Sequence, residues 1–182
     1  MKKYSIALLM MSAVTANIHA ASANDDLSPY VDDKGTISFP QDFRTQMVHL
    51  GSWFVPEGGA SGFHGVYTEK ATVDAYRKTG EFPDGATLVK ALRAHNSGDY
   101  TTGTNVSHET PALKQWFVMV KDSTGRFSDN GSWGDGWGWA LFKTDDLTQN
   151  ASTNYKTDCL GCHIPAKDKD WIYTEAYPIL SD

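Results

Sequence analysis

Apolar and polar positions change period several times along the chain, and each change marks an element. From Phe43 to Val55 apolar residues gather around Gly51, and the run from Met47 to Val55 is rich in aromatic and β-branched types, which predicts a helix leading into a strand. Gly58 to Gly62 reads as a flexible loop and Phe63 to Tyr67 as a strand. Thr68 to Lys78 reads as a helix capped at its C-terminus by Gly80. Trp116 to Lys121 reads as a strand, with Trp116, Val118 and Val120 on one face and Phe117, Met119 and Lys121 on the other. Asp129-Asn130-Gly131 marks a turn, and beyond it period two places Trp137, Trp139 and Leu141 on one face. Gly134, Gly136 and Gly138 alternate with the tryptophans, a pattern of core packing, of a bulge, or of close approach by another group such as a cofactor.

One segment fits two periods. Phe82-Pro83-Asp84-Gly85 is a turn, and Ala86 to Arg93 follows it. As a helix it shares Leu88 and Leu92 on one face and turns Lys90 to water, about 200° from Leu88. As a strand it points Leu88, Lys90 and Leu92 the same way, which sets an ammonium between two apolar side chains. Burial there lowers a lysine's pKa and frees a nucleophilic amine.

The ends and the charge narrow the class. Lys2 and Lys3, the apolar stretch from Ile6 to Ala16 and the small residues to Ala23 form a signal peptide, cleaved after Ala20 or Ala23, and too short to span a bilayer. The expected organisation is therefore a signal peptide over 1–23, a loose polar leader over 24–34 and one domain over 35–182. The mature protein is placed in the periplasm, without a membrane span. The chain has 16 Lys and Arg against 22 Asp and Glu; losing Lys2 and Lys3 leaves 14 against 22, a net charge of −8. With no Lys/Arg cluster in the mature sequence, nucleic acid is excluded as a partner.

The chemistry is concentrated in Cys159-Leu160-Gly161-Cys162-His163, which has the C-x-x-C-H spacing of c-type haem attachment. Two thiols must reach the two vinyl groups of one porphyrin edge while the adjacent imidazole bonds iron as the proximal ligand. A disulfide between the only two cysteines would leave His163 unexplained, and a zinc site would need its remaining ligands from scattered histidines. One haem c is thus expected, covalently bound through Cys159 and Cys162, with His163 on the metal. If a second protein ligand closes the iron, the chain is a simple electron carrier; the candidates are His49, His64, His95, His108, Met47 and Met119. If the position stays open, small molecules can bind and react.

Taken together these residues resemble the cytochrome P-460 family, exported monohaem proteins whose haem is also cross-linked to a lysine. The resemblance runs through Lys34-Gly35, Pro40, Val66-Tyr67, Lys78 to Phe82, Asp84-Gly85, Val89-Lys90, Val120-Lys121-Asp122, Cys159 to His163 and Tyr173 to Leu180. It implies an α+β fold, mainly antiparallel sheet with a few helices and haem packed against the sheet, usually as a homodimer. It also implies that Lys90 is the cross-linking lysine and that the substrate is hydroxylamine, with nitric oxide as a bound intermediate and a soluble redox partner taking the electrons. In catalytic members the resemblance places a carboxylate over the open iron face, on the strand ending in Val-Lys-Asp. Here that position is Phe117, and no acid occurs between Pro111 and Lys121. An aromatic cap of Phe63 and Phe117 looks instead like cytochrome c′-beta, a related group that binds diatomic gases such as nitric oxide or carbon monoxide. His64 is the candidate replacement for the missing base.

Overall fold

The computed structural model describes residues 27–181; the signal-peptide segment lies outside the described residues. Its frame is a six-stranded antiparallel sheet built from β1 (Val48–Val55), β2 (Gly62–Thr68), β3 (Thr87–Tyr100), β4 (Gly103–Lys121), β5 (Trp133–Gly134) and β6 (Trp137–Lys143), in the order β1-β2-β3-β4-β6-β5. Helices are few and short: α1 (Phe43–Gln46), α2 (Lys70–Thr79), α3 (Tyr155–Asp158) and α4 (Leu160–His163), followed by three short 3₁₀ segments. The expected α+β, mainly antiparallel architecture is what forms. Gly80 ends α2 in the left-handed region, φ 78°, with its N–H on the Tyr76 carbonyl, as its position after Thr79 dictated.

Ala86 to Arg93 is strand, not helix. Lys90 pairs with Val66 on β2 and with Phe117 on β4, and Phe117 pairs in turn with Leu141 on β6. The residues on either side of this row, Leu88 and Leu92, share its face, so the sheet presents a continuous wall of side chains to one side. The opposite face is equally apolar. Val89, Ala91, Val118, Val120, Ala140 and Phe142 are all buried there, against Ile37, Phe43 and Met47. Both faces are therefore covered, which explains why the central strands read as near-continuous apolar runs.

The N-terminal stretch departs from expectation. Leu27 to Lys34 is no loose leader: Val31 bridges Ile37, Leu27, Tyr30 and Val31 pack on the covered rear face, and Ser28 is buried with its hydroxyl 2.6 Å from that of Thr87. The folded unit thus begins upstream of Gly35. The tryptophan-glycine alternation also has a definite cause. A Cβ at Gly134 would collide with the Tyr155 hydroxyl, and one at Gly138 would lie 2.7 Å from the Trp133 ring. These glycines make room for aromatic neighbours within the chain rather than for a cofactor.

Candidate haem site

The wall formed by β1 to β4 and β6 bounds a cavity of about 520 Å³, within the range of roughly 300–1,000 Å³ usual for cofactor sites. Trp53, His64, Leu92 and Gln115 make one row of it, Val66, Lys90, Phe117 and Leu141 the next, and Leu88, Met119 and Trp139 a third. Opposite the sheet stand Cys159, Cys162, His163, Ile172, Tyr173 and Tyr177. The residues that the C-x-x-C-H spacing singled out and the lysine singled out by strand period thus meet in one chamber, from segments far apart in sequence.

The attachment loop is fixed by polar contacts of its own. The Asn154 side chain accepts the Lys156 N–H at 3.0 Å as the N-cap of α3, and the Asp158 carboxylate accepts from Ser152 Oγ and from the Thr153 and Asn154 N–H groups. Those hydrogen bonds, with one from Thr157 foremost, hold the Asp158 carboxyl below the usual carboxylate range. Both cysteines are free thiols. Among the described residues no group of three or more His, Cys, Asp or Glu side chains converges to hold a metal, which leaves the zinc alternative without a ligand set.

His163 keeps one ring nitrogen free. Its Nδ1 lies 2.7 Å from the Trp171 carbonyl, and since a carbonyl only accepts, Nδ1 carries the proton and Nε2 keeps its lone pair. Burial pushes the imidazole below its usual pKa, against the hydrogen bond to Trp171, so the neutral ligating form prevails at neutral pH. The carbonyl is presented by a tight bend in which Asp170 (φ 56°) and Trp171 (φ 66°) both adopt left-handed backbone, a conformation costly for residues with a Cβ. Lys121 holds that bend through a 2.7 Å ion pair to Asp170, and Trp137 Nε1 donates to the Asp170 carbonyl at 3.0 Å. Lys121 and Asp122, part of the Val-Lys-Asp motif, are therefore structural: Asp122, 2 % exposed, accepts from the Arg126 guanidinium and N–H, both at 2.7 Å.

Lys90 is half-buried because its side chain opens into the chamber rather than to bulk water, and its Nζ lies 4.0 Å from the centroid of the Phe117 ring. Desolvation pushes its pKa down to about 8, opposed by the nearby Cys162 and Cys159. Close to a tenth of it is then the neutral amine at pH 7, against roughly one part in three thousand for an ordinary lysine.

On the distal residues the structure is selective. Phe117 lines the chamber. Phe63 does not: period two puts it on the face opposite its neighbour His64, and it packs on Phe54, ring centroids 4.8 Å apart, instead of capping iron. His64 does face the chamber, with Nε2 2.7 Å from the Ala60 carbonyl, and burial lowers its pKa. Of the residues weighed as a sixth ligand, His64 and Met119 line the chamber. His49 bonds Ser52, His95 meets the Phe54 ring edge-on, His108 reaches the Glu109 carbonyl and Met47 lies in the rear core. Sequence reasoning missed Gln115, although it stands two residues before Phe117 on the same strand face, and it missed the Trp171 carbonyl, which no side-chain pattern announces.

The residues present fit a haem c: two free thiols and an imidazole with a free Nε2 on one wall, an amine on the other, and an apolar chamber of suitable volume between them. A family model described as Cytochrome P460 matches residues 40–174. No curated protein matches the chain.

Proposed function

The chain belongs to the Cytochrome P460 family, and on that footing we propose that it is an exported haem c protein that oxidises hydroxylamine and passes the electrons to a soluble redox partner. The observation that carries the reading is the position of Lys90, a partly neutral amine facing the wall that holds Cys159, Cys162 and His163. When bound, haem would supply a redox-active iron able to accept a nitrogen ligand and electrons from it.

The chain's own residues divide the remaining work. Cys159 and Cys162 would hold the ring as thioethers, His163 Nε2 would ligate the metal, and Lys90 would supply a further covalent bond that tunes the group's electronics. His64 takes the part of the missing carboxylate. With Nε2–H donated to Ala60 and burial favouring the neutral ring, Nδ1 is its basic nitrogen, ready to accept a proton from substrate in the chamber. Val66, Leu88, Leu92 and Phe117 keep the pocket apolar and exclude water.

The test is hydroxylamine-dependent reduction of a dye acceptor by the wild-type protein and by Lys90→Arg, each with haem confirmed as attached. The arginine variant is expected to fall to background; unchanged turnover would remove Lys90 from the mechanism. A second reading has its own observation. The chamber wall contributed by β2, β3, β4 and β6 carries no carboxylate, which suits a trap for nitric oxide or carbon monoxide. That reading takes over if the wild-type protein binds nitric oxide and shows no dye reduction.

A further inference from the structure

Beneath the proximal histidine lies an aromatic column that attachment and substrate binding do not use. The Trp139 ring meets the His163 imidazole edge-on, centroids 5.0 Å apart at 81°, and stacks on Tyr155 at 5.9 Å and 14°. The Tyr155 hydroxyl donates to Asp135 Oδ2 at 2.9 Å. Tyr155 is 6 % exposed and Trp139 2 %, whereas Asp135 is at the surface. The column therefore runs from the metal ligand to solvent through two oxidisable rings in contact, and it ends on a carboxylate.

We propose that Trp139, Tyr155 and Asp135 form a redox relay that carries oxidising equivalents away from the haem to the protein surface. The inference rests on the haem assignment above. The balance is simple. Hydrogen peroxide, its O–O bond cleaved, takes up two electrons and two solvent protons to become two waters, and each electron is drawn in turn from Tyr155 through Trp139. The phenolic proton of Tyr155 passes along its existing hydrogen bond to Asp135, so within the relay itself only the phenolic O–H bond breaks. A one-electron reductant of the ascorbate class, acting at the surface, returns each electron, and Asp135 returns the proton.

The proton acceptor singles out this tyrosine. A phenol oxidised without losing its proton becomes a strongly acidic cation, so a base at the hydroxyl makes the loss of the electron far easier. Tyr173 lies comparably near, its ring 6.1 Å from that of His163, but its hydroxyl donates to the Cys162 carbonyl, a peptide oxygen too weak a base to keep the proton. Gly134 is a second sign that the column is built: any Cβ there would occupy the place of the Tyr155 hydroxyl.

The test is electron paramagnetic resonance of the ferric haem protein frozen seconds after addition of hydrogen peroxide. Peptide mapping of a spin-trap adduct and an intact mass showing haem are taken on the same sample. Wild type is expected to give a tyrosyl signal with the adduct on Tyr155. Tyr155→Phe keeps the packing and loses that signal; Asp135→Asn, a surface change, lowers it several-fold. An equal signal in both variants, or an adduct on Tyr173 in the wild type, overturns the relay while the haem assignment stands. A mature protein without haem overturns both.

Discussion

Removing the two thiols together, in Cys159→Ser/Cys162→Ser, is expected to give a protein without haem that no longer unfolds as the wild type does. The chamber is about 520 Å³ and is walled by Leu88, Leu92, Phe117, Met119 and Trp139. Unfilled apolar volume costs about 24 cal/mol per Å³, so a chamber of this size, if dry and uncollapsed, would forfeit up to roughly 12 kcal/mol. Whole domains are stable by only about 5–15 kcal/mol. The chamber is open on one side, so water relieves part of the cost, but half of it still lowers the unfolding midpoint by roughly 10–25 °C. Calorimetry of the purified variant checks this. An unchanged midpoint in a haem-free chain would mean that the chamber collapses or fills without the cofactor, and that the sheet does not depend on it.

Phe117→Glu is expected to suppress the bond between Lys90 and haem rather than to restore a catalytic base. Position 117 pairs with Lys90 across β3 and β4, and the ammonium already sits 4.0 Å from the Phe117 ring. A carboxylate in that place favours the charged amine, as opposite charges at such range shift a pKa by about 1–3 units. From a starting value of about 8, the neutral fraction at pH 7 then falls by roughly ten- to a thousand-fold. In the wild type, the rate of cross-linking in added haem, with hydrogen peroxide supplied as the two-electron oxidant needed when a C–N bond replaces a ring C–H, should rise about tenfold between pH 7 and pH 9 and flatten above about pH 8, where Lys90 is mostly neutral. In Phe117→Glu the plateau moves to higher pH, and Phe117→Gln, which adds no charge, leaves it in place. Mass spectrometry of the joined peptides at each pH reads the outcome. Equal yields in the glutamate and glutamine variants would mean that the charge of Lys90 does not control the bond.

How far the sequence reaches depends on what packs against each residue. C-x-x-C-H stands out as a haem-attachment signal because the spacing that vinyl groups and iron require needs no knowledge of the fold. The strand through Lys90 was legible only as an alternative, since Leu88 and Leu92 satisfy both a helical and an extended period, and it took pairing with Val66 and Phe117 to decide it. Phe63 was misplaced for a related reason: both faces of the sheet are buried, so apolar character cannot say which face of β2 meets the cofactor, and only the parity set by Lys90 assigns His64 to it. The outer parts of β3 and β4, where His95 to Tyr100 pair with Gly103 to Glu109, carry little apolar alternation because hardly anything packs on them, and the sequence gives no warning of that ribbon. Ser28 shows the opposite failure, a polar residue in a polar stretch whose burial depends on one partner, Thr87, 59 residues away.

The central claim is that one haem is bonded to both walls of the chamber, to Cys159 and Cys162 on one side and to Lys90 on the other. The most direct test is proteolysis of the purified exported protein with mass mapping of every peptide that retains haem. The expected result is a single species in which the peptide bearing Lys90 is joined through haem to the peptide bearing Cys159 and Cys162, in a sample whose intact mass equals chain plus one haem. A haem peptide containing Cys159 and Cys162 alone, with the Lys90 peptide free and unmodified, would contradict it.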